Sequence, residues 1–134
     1  MRNICMNVVL ALLFCGAVAV ILSSDLFAIT WQNDLAKAQV EARQSGKPLM
    51  VDFYTDWCGW CKKLDRDTYS DKDVSALASQ FISVKIDGDR NRPLVSKFGV
   101  RGYPAIIFLN FEGSIDDVVS GYLPPKEFLK VMTV

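Results

Sequence analysis

Leu49-Met50-Val51-Asp52-Phe53-Tyr54-Thr55-Asp56-Trp57-Cys58-Gly59-Trp60-Cys61 is the stretch that decides the fold of this chain. It opens with an apolar run of strand length, broken by one acid, and closes on two cysteines at Cys-x-x-Cys spacing. If a helix starts at that pair, its unpaired N–H groups and the positive end of its dipole favour a thiolate at Cys58. A second thiol one turn further on equips the pair for thiol–disulfide exchange.

Other uses of Cys-x-x-Cys fit less well. A zinc site needs a second pair of ligands, and the chain has no histidine; Cys5 and Cys15 lie in an apolar N-terminal run. Covalent haem attachment needs histidine after the second cysteine, where Lys62 stands. An inert structural disulfide remains open, but so small a loop gains little from chain entropy.

Outward from this stretch, the bulk properties describe one ordinary domain. The chain has 134 residues, 51% of them hydrophobic, enough to bury a core. Lysine plus arginine equals aspartate plus glutamate, 15 each, so charge gives no reason to invoke nucleic acid. The absence of histidine excludes Cys–His and Ser–His catalysis.

The N-terminus stands apart. Arg2 precedes an apolar run, Val8 to Leu22, and Ser23-Ser24-Asp25-Leu26-Phe27-Ala28 follows. Residues 1–28 read as a signal peptide cut after Ala28, or as an uncleaved membrane anchor from Ile4 to Leu22. Arg2 on the cytoplasmic side sends the remainder outward in either case. A lipoprotein reading of Cys15 is poor, because bulky Phe14 precedes it. The working domain is then 29–134, with Cys58 and Cys61 as its only thiols. A single close pair is not a disulfide scaffold, which favours a reactive role.

Periodicity gives the elements. A helix is expected from Asn33 or Asp34 to Gln44, stopped by Ser45-Gly46-Lys47-Pro48. Strand 49–55 leads to a helix from Cys58 to about Asp67, and Ser70-Asp71 caps another through Ala78. Residues 81–87 alternate as a strand. Pro93 opens a short helix to Phe98. Residues 104–109 and 115–119 form strands around the turn Asn110–Gly113, and Pro124-Pro125 open a last amphipathic helix. Helices between the first three strands imply βαβ crossovers, and the turn implies an antiparallel hairpin. The expected class is α/β: a mixed sheet with helices on both faces.

Two signatures carry a resemblance. Val51 to Lys62 resembles the active-site strand and helix start of thioredoxins, and Phe98-Gly99-Val100-Arg101-Gly102-Tyr103-Pro104 resembles the family's second signature, which ends in a cis-proline facing the thiols. Gly121 also matches, and the likeness covers nearly all of Ile29 to Val134. Trp31, Ala36-Lys37-Ala38, Ser45-Gly46-Lys47-Pro48, Asp56-Trp57-Cys58 and Thr68-Tyr69-Ser70-Asp71 resemble the thioredoxin-like group that includes the C-terminal domain of the bacterial reductase DsbD. The resemblance implies a thioredoxin fold and an extracytoplasmic thiol–disulfide oxidoreductase that reduces protein disulfides. Its partners would be protein thiols and disulfides and a membrane electron donor of the DsbD type. It implies no metal and no separate cofactor, no nucleic acid, membrane contact only through an uncleaved N-terminal segment, and a monomer. A disulfide oxidase or isomerase, or a binding module without turnover, is the alternative on the same scaffold. Three positions depart from thioredoxins: Trp60 replaces their proline, Ala105 their threonine, and Ser83 falls near their lysine beside the buried acid. Lys85 lies on the same strand face as Ser83.

The site residues follow. Cys58, at the helix start and nearest solvent, is the expected attacking thiolate, and Cys61 the resolving thiol; together they form the redox-active disulfide. An acid at Asp52 is costly to bury; if buried, its pKa rises and it accepts the Cys61 proton during resolution. The other reading points Asp52 to solvent on an alternating strand. Trp57 and Trp60 bracket the thiols as substrate contacts or as surface-packed aromatics. Tyr103, before Pro104, offers backbone to a substrate strand. Lys62 and Lys63 read as a solvated helix face. Asp65, Asp67, Asp71 and Asp73 lack the glycine and terminal glutamate of a calcium loop.

Overall fold

The structure is a computed structural model that describes residues 28–133. The leader reading therefore falls almost wholly outside the described residues. Among these, no helix is long and apolar enough to cross a membrane.

Five strands form one sheet in the order β1-β3-β2-β4-β5. They are β1 (Trp31–Gln32), β2 (Leu49–Tyr54), β3 (Ile82–Asp87), β4 (Ala105–Leu109) and β5 (Ile115–Ser120). β1 and β2 run parallel to β3, while β4 runs antiparallel to both β2 and β5. The helices are α1 (Leu35–Ser45), α2 (Gly59–Lys63), α3 (Lys72–Ala78), α4 (Arg92–Lys97) and α5 (Pro125–Met132). A π-helical segment, Leu64–Thr68, continues α2.

Local chemistry sets most boundaries. The Lys37 N–H donates to the Asp34 carboxylate at 3.0 Å, which caps α1. Gly46 ends that helix at φ 71°, a conformation glycine adopts without steric cost, and its N–H donates to Ala42 O. Asp71 caps α3 by accepting from the Asp73 and Val74 N–H groups. In the hairpin turn, Asn110 Oδ1 accepts from the Glu112 and Ser114 N–H groups.

Helices cover both faces. On one, Leu35, Ala38 and Ala42 of α1 pack on Val51, Phe53, Val84 and Ile107, with Leu94, Val95 and Phe98 closing the edge. On the other, Leu64, Val74, Phe128 and Met132 pack on Met50, Ile106 and Phe108. β2 sits between β3 and β4 and is buried on both faces, which is why its sequence is almost continuously apolar.

Three features depart from the expectation. β1 was not expected; at two residues it is too short to show alternation. The helix after Cys58 changes to π geometry, with the Tyr69 N–H donating to Leu64 O, which turns the Tyr69 ring into the core. The link from β3 to β4 is not a parallel crossover. A six-residue helix rises only about 9 Å, against about 20 Å for a six-residue strand. With α4 too short to carry the chain back, β4 runs in the opposite direction.

Candidate active site

The thiol pair sits where β2 hands over to α2. Cys58 is the N-cap, with extended backbone at φ −80° and ψ 105°, and Cys61 lies one turn in. The two form a disulfide with 5.3 Å between their Cα atoms. The Cys61 N–H donates to Cys58 Sγ at 3.1 Å. In the dithiol state that donor favours charge on Cys58, since a hydrogen bond to the ionised form stabilises it. Exposure does not separate the two residues, 5% against 4%, so the expectation that Cys58 lies nearest solvent fails for the oxidised pair. What distinguishes Cys58 is its place at the cap.

Asp52 is buried, and the solvent-facing alternative is excluded. It stands on the sheet face of Met50, the face on which Leu64 of the π-helical segment packs. Cys61, buried one turn before Leu64, lies on the same flank of that helical run. Burial pushes the Asp52 carboxyl up from 3.8 to about 6, against the opposing pull of Lys85. Lys85 Nζ lies 3.3 Å from Asp52 Oδ2 and 2.5 Å from Asp65 Oδ1. Its ammonium is also within 5.1–5.4 Å of the ring centroids of Trp31, Tyr54 and Tyr69. Lys85 thus supplies the positive charge beside the buried acid that Ser83 does not. Ser83 is itself buried, with its hydroxyl unpaired among the described residues.

The expected substrate contacts form two aromatic pairs. Trp57 is 70% exposed; its indole N–H donates to Asp89 Oδ2 at 2.8 Å, and Tyr103 meets it edge-on at 6.0 Å. Trp60 is 59% exposed and lies 5.8 Å from Tyr122. Lys63 covers Tyr122 at 4.9 Å and pairs with Asp67 at 2.8 Å, while Lys62 is solvated. The Tyr103–Pro104 bond is cis, as the resemblance implied. The Trp57–Tyr103 contact brings the loop carrying Pro104 beside the segment carrying Cys58. A groove of about 410 Å3 runs past that loop, lined by Val100, Tyr103, Pro104, Ala105, Ile107 and Val118.

Sequence reasoning missed the residues that hold these side chains. Gly88 is the floor under Tyr103: a Cβ there would lie 2.2 Å from the Tyr103 hydroxyl oxygen and 2.5 Å from Cε1 and Cζ. Asp89 anchors Trp57 across 32 positions, a pairing that no local pattern announces. Gly88→Ala should push the Tyr103 ring off Trp57 and destabilise the fold by about 1–3 kcal/mol, the usual cost of overpacking. Denaturant unfolding measures this, and the penalty should shrink in a Tyr103→Ala background. An equal penalty in both backgrounds would show that the ring is not what the new methyl meets.

The chain matches the family described as thioredoxin-like over residues 30–110. It is 36% identical over 89 residues to the thioredoxin-like protein HCF164, chloroplastic, of Oryza sativa subsp. japonica, covering 66% of this chain and 34% of that protein. It is 33% identical over 107 residues to the thiol:disulfide interchange protein DsbD of Vibrio cholerae, covering 75% of this chain and 18% of that protein. The chain therefore spans well under half the length of either relative. Among solved structures, a thioredoxin from Thermus thermophilus superposes with a TM-score of 0.71 at 25% identity, covering 79% of this chain and 85% of that one.

Proposed function

The chain belongs to the thioredoxin-like family, and from that premise we propose that it is an extracytoplasmic thiol–disulfide oxidoreductase that reduces protein disulfides through Cys58 and Cys61. One observation carries the reading: a disulfide capping a helix start, beside a sheet face that holds a buried acid with a raised pKa.

The residues perform the reaction as follows. In the dithiol form, the Cys58 thiolate attacks one sulfur of the substrate disulfide. A mixed disulfide forms and the first substrate thiolate leaves. The Cys61 thiol gives its proton to the Asp52 carboxylate, and the new thiolate attacks Cys58 Sγ. The second substrate thiolate leaves, two electrons have passed to the substrate, and the Cys58–Cys61 disulfide remains. Trp57, Trp60, Tyr103 and Pro104 form the docking surface, with the Tyr103 backbone offered to an extended substrate segment.

The apolar N-terminal run supports a place outside the cytoplasm, by cleavage or by anchoring at residues 1–28. The relation to the thiol:disulfide interchange protein DsbD supports protein thiols and disulfides as substrates; a membrane electron donor that restores the dithiol completes the proposed cycle. Equilibration of the full chain in glutathione buffers tests the direction. A reductant should settle at or below about −200 to −230 mV, the glutaredoxin range. A value near about −120 mV, where the oxidant DsbA lies, would overturn the reductant reading in favour of an oxidase. A disulfide that never equilibrates would leave only a binding module.

A further inference from the structure

Tyr69 is a tyrosine where packing asks only for a ring. The residue is buried just after the π-helical segment. Its ring lies 4.9 Å from Trp31 and meets Phe128 edge-on at 5.7 Å. Phenylalanine would make both contacts. The hydroxyl is buried and makes no hydrogen bond among the described residues. Asp52 is left incomplete in a matching way: Oδ2 pairs with Lys85, while buried Oδ1 has no partner among the described residues. One group is a donor without an acceptor and the other an acceptor without a donor. Buried polar groups left so are uncommon, and each costs its own desolvation.

The two groups also act on each other. Burial raises the Tyr69 pKa well above its ordinary value, and the Asp52 charge raises it further. Geometry places the phenol beside the carboxylate: Lys85 Nζ, 3.3 Å from Asp52 Oδ2, lies 5.4 Å from the Tyr69 ring centroid, while no hydrogen bond of normal geometry joins the two groups among the described residues. We propose that Tyr69 is a positioning residue for Asp52: its hydroxyl donates to Oδ1, directly or through one water, whenever the carboxylate is ionised, and so sets the proton affinity of that acid. Every group facing Asp52 is accounted for. Lys85 from β3 holds Oδ2 and is itself shared with Asp65 of the π-helical segment. Cys61 of α2 is bound in the disulfide. Ile106, opposite on β4, and Phe128 of α5 carry no charge. The hydroxyls of Thr55 and Ser83 are also buried and unpaired among the described residues, and Ser83 shares the sheet face, which makes it the natural control.

The pairing itself is independent of turnover, but its catalytic consequence rests on the reading of Asp52 as proton acceptor. The experiment separates the two. Asp52 is titrated by carboxyl NMR in the disulfide form of the full chain, for the parent, Tyr69→Phe and Ser83→Ala. Losing a donor to the ionised form raises the midpoint, so Tyr69→Phe should move it up by about one pH unit. Ser83→Ala should leave it in place. Fluorotyrosine placed at position 69 keeps the ring and strengthens the donor, so the midpoint should fall. An unmoved midpoint in both Tyr69 variants, or a move in Ser83→Ala alone, overturns the proposal. The pH dependence of disulfide reduction should follow the NMR midpoint upward in Tyr69→Phe. If the midpoint moves and the rate profile does not, the pairing stands and Asp52 is removed from the chemistry.

Discussion

Cys58→Ser should reduce a model protein disulfide no faster than the uncatalysed background, whereas Cys61→Ser should stall as a mixed disulfide through Cys58. The order of roles comes from geometry. Cys58 Sγ accepts the Cys61 backbone N–H at 3.1 Å at the cap of α2, and Lys62 N–H closes the next turn onto Cys58 O. A thiolate at Cys58 therefore gains a hydrogen bond and the positive end of a helical run. Cys61, one turn into the helix, has neither. On the proposed reading Cys58 attacks first, because its ionised form would gain these contacts. Removing Cys61 leaves that attack intact and deletes the step that breaks the mixed disulfide. Mass spectrometry of the trapped species reads the result directly. An adduct on Cys61 in Cys58→Ser, with none on Cys58 in Cys61→Ser, would reverse the roles.

The parts of this site legible in the sequence are those that local pattern controls. The run Leu49–Tyr54, the helix start at Asn33 or Asp34 and the cap at Ser70-Asp71 each depend on residues a few positions apart, and each formed as expected. Pro104 and its cis bond were legible only through the family's second signature, since the turn residues alone fit either isomer. The supporting residues were not legible, because their partners are distant in sequence. Asp89 meets Trp57 only after β3 returns beside β2, and Tyr103 needs Gly88 bare only because β4 comes back antiparallel. Tyr69 reaches the face of Asp52 because one π-helical turn inserts a residue, which no helical periodicity reports. The missed strand β1 belongs to the same class: Trp31 matters as a wall of the Lys85 cage, not as part of a repeating pattern. Direction was lost for a related reason. A helix between two strands suggests a crossover, and only its length against the strand's shows that the chain does not return.

Asp52→Asn should make the fold more stable at neutral pH while slowing the resolution of the mixed disulfide. The carboxyl rises from 3.8 to about 6 on folding, chiefly through burial. Folding therefore favours the protonated acid. That preference is fully present below pH 3.8 and is lost as pH rises through about 6. Above that point the ionised group burdens the folded state by about 3 kcal/mol relative to its protonated form. Asparagine never ionises, so the gain should be near zero at pH 3.5 and reach about 1–3 kcal/mol at pH 8. The lower end allows for Lys85, which loses one partner but keeps Asp65 at 2.5 Å and is itself 19% exposed. The kinetic effect has the opposite sign. Without a carboxylate to receive its proton, Cys61 must ionise into water from a buried site, and the resolving step should slow by about a hundredfold near pH 7, the low end of general-base contributions. Urea titrations across pH measure the first effect, and quenched-flow decay of the mixed disulfide measures the second. Stability that gains equally at pH 3.5 and pH 8 would show that the variant acts through packing and not through charge. An unchanged decay rate would show that solvent takes the Cys61 proton and that the buried acid serves another end.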